Sequence, residues 1–380
     1  MKNLNDIRVE IDAIDDELIT LYQKRMALSK EVGLSKAQTG KLVNDSEREN
    51  DIIYRLASKS PEELQIYIKE LYKTIFNTSK AYQTNFMNLT STTVEKLEKV
   101  LNKERETMPK TASVACQGIK GANSQAAARK IFPVSSITYF KNFEGVFDAI
   151  DDGLCEFGVL PIENSTAGSV LEIYDLMKKR KFYVVKSVRI KIDHCLVANV
   201  GSDISKIKKV YSHPQALSQC ANYLKKLGVE TVAVENTAVA AKMVSESTDK
   251  TIAALCSGDC AEVYGLKILE SAVQDSSANY TRFICICKDL KIFKGADRIS
   301  VMTSLGHKPG SLNTLLNKFS MLGLNLTKIE SRPIINSEFE FMFYFDFVGD
   351  VCEKEVKNLI AELENGSEHF EFLGSYSEII

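Results

Sequence analysis

A chain of 380 residues is longer than one hydrophobic core normally spans, so two or three domains are expected. Its 44% hydrophobic and 26% charged residues exclude wholesale disorder. With 48 Lys plus Arg against 50 Asp plus Glu it lacks the basic excess of a nucleic-acid binder, and residues 1–108 balance too, 17 basic against 18 acidic.

The first hundred residues read as helical. Ile7, Ile11, Ile14, Leu18, Leu21, position 25, Leu28 and Val32 step by four and three, a seam at coiled-coil period. A shorter helix follows from about Asp45, where Ser46-x-x-Glu49 reads as a capping box. A third opens at Ser60-Pro61-Glu62-Glu63, with N-cap, proline and glutamate in order. Three such helices bury little surface alone, and dimerisation through the long seam is the expected remedy. Residues 88–110 are polar, with a short helix predicted at 94–106, and read as a linker.

From Ser113 the texture becomes α/β. Short apolar strands (Ser113–Cys116, Phe157–Pro161, Lys209–Ser212, Thr231–Val234, Thr251–Leu255) alternate with helical patterns, predicting parallel strands in two lobes. From Arg298 the pattern is strand 299–305, helix 312–321, strands 325–330 and 338–348, helix 352–363 and strand 370–375. That β-α-β-β-α-β order predicts a ferredoxin-like module.

The nine cysteines avoid the first hundred residues, form no C-x-x-C, and sit mostly in apolar runs, as reduced core-filling thiols do. None of the four histidines pairs with another at ligand spacing, so no metal site is expected. The N-terminus lacks the apolar core of a signal peptide, and no apolar run approaches a membrane span. A soluble, cytoplasmic protein with no nucleic-acid and no membrane partner is the expectation.

Arg25 falls in register on the apolar seam. Lys36, 11 residues on, shares its face about 16 Å away. Arg48 beside Glu49, then Ser79 and Gln83 one turn apart, add polar groups on the other helices. Each alone is as well explained by a snorkelling or solvated side chain, and Glu49 by its cap. Together they describe a pocket for a small polyanion. The ordered set Ile7-Arg8, Lys24-Arg25, Lys36, Asp45-x-x-Arg48-Glu49 and Ser79-x-x-x-Gln83 resembles the all-helical chorismate mutases over about residues 1–90. The resemblance implies an intertwined dimer, with Arg8 supplied by the partner chain. It implies that Arg8 and Arg25 clamp carboxylates, Lys36 and Gln83 face the ether oxygen, and Arg48, Glu49 and Ser79 complete the chorismate site. A pericyclic rearrangement needs a folded conformer and placed positive charge, without acid, base or cofactor.

In the α/β segment, Pro161-Ile162-Glu163-Asn164 through Ser169 leaves a strand and precedes a helix. Ser212-His213-Pro214-Gln215 with Gln219, and Asn236-Thr237-Ala238, repeat the arrangement. Hydroxyls and N–H groups at helix N-termini favour anions, although a loop with a cap explains each equally well. The glycine-rich 118–124 is neither a P-loop nor a dinucleotide fingerprint. Gly118-x-x-Gly121-x-x-Ser124, Pro161-Ile162-Glu163-Asn164, Ser212-His213-Pro214-Gln215-x-x-x-Gln219-Cys220, Tyr264-Gly265-Leu266 and Thr281-Arg282-Phe283 together resemble prephenate dehydratase across 111–290, with Asn123 where many relatives carry tyrosine. The resemblance implies that Glu163, Asn164, Ser212 and Gln219 surround prephenate, that Thr281 donates a hydrogen bond to the departing hydroxyl, and that Arg282 anchors a carboxylate.

Pro309-Gly310-Ser311-Leu312 and Glu330-Ser331-Arg332-Pro333 resemble the phenylalanine-binding motifs of an ACT regulatory domain over 297–380, Ser311 replacing the usual alanine. The resemblance implies phenylalanine as effector at Gly310, Ser311, Leu312, Glu330, Ser331 and Arg332.

The organisation expected is therefore a helical mutase-like module at 1–90, a linker at 91–110, a two-lobed α/β module at 111–290 and a ferredoxin-like module at 297–380. The function expected is a bifunctional enzyme that converts chorismate to prephenate and then to phenylpyruvate, as a homodimer or higher homo-oligomer under phenylalanine feedback. Two alternatives stay open: a monofunctional prephenate dehydratase whose helices only dimerise, and a non-catalytic amino-acid-responsive binding protein.

Overall fold

The computed structural model describes residues 2–39, 45–86, 90–306, 308–334 and 341–380. The helical segment comprises α1 (Leu4–Thr39), α2 (Ser46–Ala57), α3 (Gln65–Thr84) and α4 (Thr92–Leu101). The N-cap of α2 is Asp45, whose carboxylate accepts from the Arg48 N–H; the Ser46 side chain of the expected capping box lies outside the described residues. Residues 62–64 form a single 3₁₀ turn, so α3 starts at Gln65, four residues after the Pro61 expected at its first position. Against α3, α1 buries only Ser29 and Gly33. Gly33 has a packing reason: a Cβ there would lie 3.0 Å from the Gln83 carbonyl oxygen. The predicted apolar seam of α1 stays open in the single chain, with Ile11, Ile14, Leu18, Leu21 and Leu28 at least half exposed.

The strands are β1 (Thr111–Gln117), β2 (Val134–Phe140), β3 (Phe157–Asn164), β4 (Gly168–Ser169), β5 (Tyr183–Lys191), β6 (Cys195–Ala198), β7 (Lys209–Ser212), β8 (Glu230–Ala233), β9 (Ile252–Cys256), β10 (Lys267–Glu270), β11 (Tyr280–Cys287), β12 (Arg298–Leu305), β13 (Leu326–Pro333), β14 (Phe341–Val348) and β15 (Phe370–Ile379). Among them run α5 (Asn123–Ile131), α6 (Phe143–Asp151), α7 (Leu171–Met177), α8 (Pro214–Gln219), α9 (Ala221–Leu227), α10 (Thr237–Glu246), α11 (Gly258–Val263), α12 (Ser311–Met321) and α13 (Lys354–Gly366). A five-stranded sheet, β10-β6-β9-β7-β8, forms one lobe. The other lobe belongs to a longer sheet, β13-β14-β12-β15-β5-β11-β3-β1-β2, with β4 beside β3.

Parallel pairing holds for β1 with β2 and β3, and for β7 with β8 and β9, whereas β11 pairs antiparallel with β3 and β5. The sheets are thus mixed rather than parallel. Strand β3 begins with a fully buried apolar run, the texture of a strand covered on both faces. The order β13-β14-β12-β15 is that of a βαββαβ ferredoxin-like unit. Its last strand runs parallel to β5, pairing Ser377 with Lys186 and Ile379 with Val188. The sequence pattern gave no sign of that join. It creates a shared core in which Met342, Tyr344 and Tyr376 pack with Ile162, Tyr174 and Ile284.

Compactness divides the chain differently from the sequence segments. One unit holds residues 1–96, 303–325 and 352–370, and the other holds 97–302, 326–351 and 371–380. Of the residues read as a linker, 91–96 lie in the first unit, where the Glu364 carboxylate accepts from the hydroxyls of Ser91, Thr92 (2.7 Å) and Thr93 (3.0 Å). Eight of the nine cysteines are buried, and burial pushes the thiols of Cys116, Cys220 and Cys287 up to about 12. Among the described residues no helix is long and apolar enough to cross a membrane.

Candidate active sites

In the helical segment, Arg25 reaches from α1 to α3. Its guanidinium donates to Ser79 Oγ and lies 5.4 Å from the Phe76 ring centroid, so the cation is stacked as well as hydrogen-bonded. Ser79 is buried and passes its own proton to the Ile75 carbonyl oxygen at 2.7 Å. One turn on, the Gln83 side chain is buried with its Oε1 unpartnered among the described residues. A buried amide without a partner is costly, and a half-turn of the group presents N–H instead of oxygen to the same space. Glu49 on α2 forms an ion pair of 3.0 Å with Lys80, a cation that the motif reading missed although it directly follows Ser79.

Lys36 is half-buried near the end of α1, and Arg48 is exposed. Arg8 is also exposed and lies 17 residues before Arg25 on the same helix, about 25 Å away. The structure therefore gathers Arg25, Ser79 and Gln83 along the α1–α3 contact and Glu49 beside Lys80. It does not bring Arg8 to them within one chain.

The second constellation forms where β3 ends and β11 begins. Antiparallel pairing sets Thr281 opposite Asn164 and Arg282 opposite Glu163. The Asn164 amide nitrogen donates to Thr281 Oγ1 (3.0 Å), the Tyr280 carbonyl (3.1 Å) and Asn279 Oδ1 (2.8 Å). Its oxygen accepts from the Thr166 N–H (3.1 Å), the Thr166 hydroxyl (2.7 Å) and the Ala167 N–H (2.9 Å). From the other lobe, Gln219 donates to Thr166 Oγ1 at 2.7 Å and accepts from Asn279 at 3.0 Å. His194 Nε2 faces the same Gln219 oxygen at 2.9 Å. Burial lowers the His194 pKa, and the Gln219 hydrogen bond only partly offsets this. Helix α8 presents Gln219 after a His213 cap and Pro214 at its first turn, the punctuation legible in the sequence.

Because Asn164 donates to the Thr281 oxygen, the hydroxyl proton of Thr281 points elsewhere and can be given to a ligand. Ser212, the last residue of β7, is fully buried and donates to the Leu255 carbonyl at 2.8 Å. Asn279, Thr166 and His194 belong to the constellation without having been singled out; only their neighbourhood to Thr281 and Asn164 carried a signal for the first two.

Glu163 and Arg282 alternate with Asn164 and Thr281 along their strands and so face the opposite side of the sheet. Arg282, 6% exposed, is paired with Asp346 of β14 and lies 3.0 Å from Glu163. The Glu163 contact is one of charge, since the Nε–H is not aimed along it. Burial works against the Arg282 charge, but Asp346 and Glu163 outweigh it and hold its pKa above the ordinary value. Lys328 completes the group, 2.8 Å from the other Glu163 oxygen.

Of the expected effector residues, Glu330 accepts from the Ser169 hydroxyl, and Arg332 forks onto Asp175 at 3.1 and 2.7 Å. That fork holds the Asp175 carboxyl below its usual range. Ser331, between them, is exposed. Gly310, with φ +86°, caps α12 ahead of half-buried Ser311 and Leu312; these three lie in the first compact unit and Glu330–Arg332 in the second.

Two family models match the chain: "Chorismate mutase type II" over residues 7–84 and "Prephenate dehydratase" over residues 114–291. The bifunctional chorismate mutase/prephenate dehydratase of Escherichia coli K12 is 30% identical over 97% of this chain and 95% of its own length. The chain belongs to the bifunctional chorismate mutase/prephenate dehydratase family. Arogenate dehydratase 2 of Petunia hybrida is 38% identical over 69% of this chain and 71% of its own. Among solved structures, the prephenate dehydratase of Arthrobacter aurescens in complex with L-Phe aligns at TM-score 0.64 and 27% identity, covering 70% of this chain and 89% of that one. The chain is thus an enzyme with a chorismate mutase module and a prephenate dehydratase module.

Proposed function

We propose that the two modules act in sequence on chorismate, with the helical pocket supplying prephenate to the Asn164–Thr281 centre. In the helices, Arg25 clamps a carboxylate of the substrate, Arg48, Glu49 and Ser79 bind its other polar groups, and Lys36 faces the ether oxygen together with Gln83, which turns its amide N–H toward it. Arg8, about 25 Å from Arg25 along one helix, fits a site only if a second copy supplies it. The uncovered seam of α1 gives that copy an apolar surface, so a homodimer is the smallest complete mutase.

In the α/β module, prephenate must lose carbon dioxide and hydroxide together. The C–CO₂ bonding pair moves into the ring, aromatises it and expels the hydroxyl, which leaves as water on gaining a proton. Decarboxylation supplies the electrons; the enzyme supplies a donor at the leaving oxygen. The Thr281 hydroxyl, its oxygen already engaged by Asn164, is that donor, and this is the observation that carries the reading. Gln219, Ser212 and the loop after Asn164 place the rest of the substrate. Glu163 and Arg282 act from the opposite face of the strands.

The βαββαβ unit is read as an ACT domain that binds phenylalanine through Gly310–Leu312 and Glu330–Arg332 and feeds back on the dehydratase, along the segment boundaries 1–90, 91–110, 111–290 and 297–380. The full chain supplied with chorismate should form phenylpyruvate, and less of it with phenylalanine added. Supplied prephenate and arogenate, in separate arms, identify the dehydratase substrate. No turnover of chorismate with none of prephenate refutes the reading. Turnover of prephenate alone leaves the monofunctional alternative. Binding of prephenate without turnover leaves the non-catalytic one.

A further inference from the structure

Along β3 and β11 the pairing is regular up to Ile284–Leu160 and Phe283–Pro161. It then skips Ile162, so that Arg282 meets Glu163 and Thr281 meets Asn164. A bulge of this kind re-aims the residues beyond it, and here the residues beyond it are the dehydratase pair. Short strand ends fray unless something holds them. On its other edge β11 pairs without a break with β5 from Tyr280 to Cys285, Thr281 opposite Ile190 and Arg282 opposite Arg189, and on the reverse face charge adds a second hold on the side where the β3 ladder is bulged. Arg282 sits at the bulge between Glu163 and Asp346. Asp346 is itself held by the Ser300 hydroxyl on β12, which lies 2.8 Å from the Tyr376 hydroxyl on β15. Lys328, directly opposite Asp346 on β13, closes the chain of charges onto Glu163 and donates to Ser169 at 2.7 Å. Each charge of this group has an opposite charge beside it, with Arg282 and Asp346 buried and Glu163 and Lys328 partly so.

We propose that Arg282 is a positioning residue of the dehydratase reaction, held by Asp346 and Ser300, so that strands β12 and β14 complete the dehydratase centre from behind. The proposal rests on the dehydratase reading of Thr281 and Asn164. It departs from a role for the guanidinium as carboxylate anchor. A positioning tie affects where the Thr281 hydroxyl stands relative to the leaving oxygen, and that alignment matters in the transition state more than in the ground state. Its loss therefore lowers kcat with little change in KM, whereas loss of a substrate anchor raises KM.

The test uses the full chain with prephenate as substrate, comparing Asp346→Asn, Ser300→Ala and Arg282→Lys. Lysine keeps the charge but lacks the planar guanidinium that bonds Asp346 while lying beside Glu163. Asp346→Asn and Arg282→Lys are expected to lower kcat by roughly ten- to a hundred-fold with KM within about two-fold, and Ser300→Ala by a few-fold in the same direction. The chorismate-to-prephenate rate of each variant, expected at the parent value, separates misplacement from unfolding. If Asp346→Asn loses both activities, Ser300→Ala decides: its lowered kcat supports the tie, and parent kcat overturns it. Parent kcat and KM in all three variants overturn the proposal, as does a raised KM at parent kcat in Arg282→Lys. A parent chain inert on prephenate overturns the dehydratase reading and this proposal with it; an active parent with unaffected variants overturns the proposal alone.

Discussion

Replacing Thr281 by valine tests the dehydratase centre most directly, because the two side chains have nearly the same shape and only the hydroxyl is lost. The Asn164 amide loses one acceptor at 3.0 Å but keeps Asn279 Oδ1 at 2.8 Å and the Tyr280 carbonyl at 3.1 Å, so Asn164 stays seated. The stability cost is that of one hydrogen bond at a partly exposed position, about 1 kcal/mol, and the chain remains folded. The catalytic cost is larger. A single placed donor to an oxygen gaining charge is worth about 2.7–4 kcal/mol, or a factor of 10²–10³ in kcat. The variant fed with chorismate should therefore consume it at the parent rate, accumulate prephenate and release phenylpyruvate at no more than about one-hundredth of the parent rate. Thr281→Ser, which keeps the donor, should stay within about ten-fold of the parent. Phenylpyruvate formation by Thr281→Val at more than about one-tenth of the parent rate would refute the assigned donor.

Arg25→Ala removes the cation that bridges Ser79 and stacks on Phe76; mutase turnover should fall by at least about 10³-fold while supplied prephenate is still converted, and loss of both activities would place Arg25 in folding rather than catalysis. Gly33→Ala sets a Cβ 3.0 Å from the Gln83 carbonyl oxygen and 3.1 Å from its Cα, backbone atoms that cannot swing aside. Thermal denaturation should show a loss of about 1–3 kcal/mol, with mutase activity reduced and dehydratase kcat retained; an unchanged melting temperature would deny the close approach of α1 and α3. Glu364 concerns pH. Burial raises its pKa, but hydrogen bonds from Ser91, Thr92 and Thr93 outweigh that and hold it below the ordinary value. The stabilisation is thus complete above the unfolded carboxylate pKa, about 4.3, and is lost as pH falls through the folded value. Melting temperatures of Glu364→Gln should start lower at neutral pH and decline less steeply below about pH 5 than the parent's; parallel curves would show that the anchor carries no ionisation-linked stability.

What the sequence made legible was periodicity and punctuation. The long helix, the capped start of α2, the strand cores and the βαββαβ order all followed from the spacing of apolar residues and from Asp, Asn, Gly and Pro at element ends. Which surfaces meet was not legible, because pairing between distant strands leaves no local mark. The parallel join of β15 to β5 is the main case, and with it the polar group that ties Asp346 to Arg282.

The same limit explains why Glu163 and Arg282 read as ligands. A motif lists residues in a row, whereas a strand sends neighbours to opposite faces. Thr281 and Asn164 are opposite one another, so an amide and a hydroxyl meet on one face and a guanidinium and a carboxylate on the other. Both pairs are needed in order, which is how two different jobs come to share one short motif. The hydroxyl on one face does chemistry only if it stands still, and the charges on the other face supply that stillness at a point where the sheet itself is bulged. The hydrogen-bond ladder to β5 runs unbroken past Thr281, but the ladder to β3 is bulged beside Arg282, and it is on that side that the charges act. Loss of those charges leaves the β5 ladder in place but loosens the edge that faces β3, so the donor loses its aim before its chemistry.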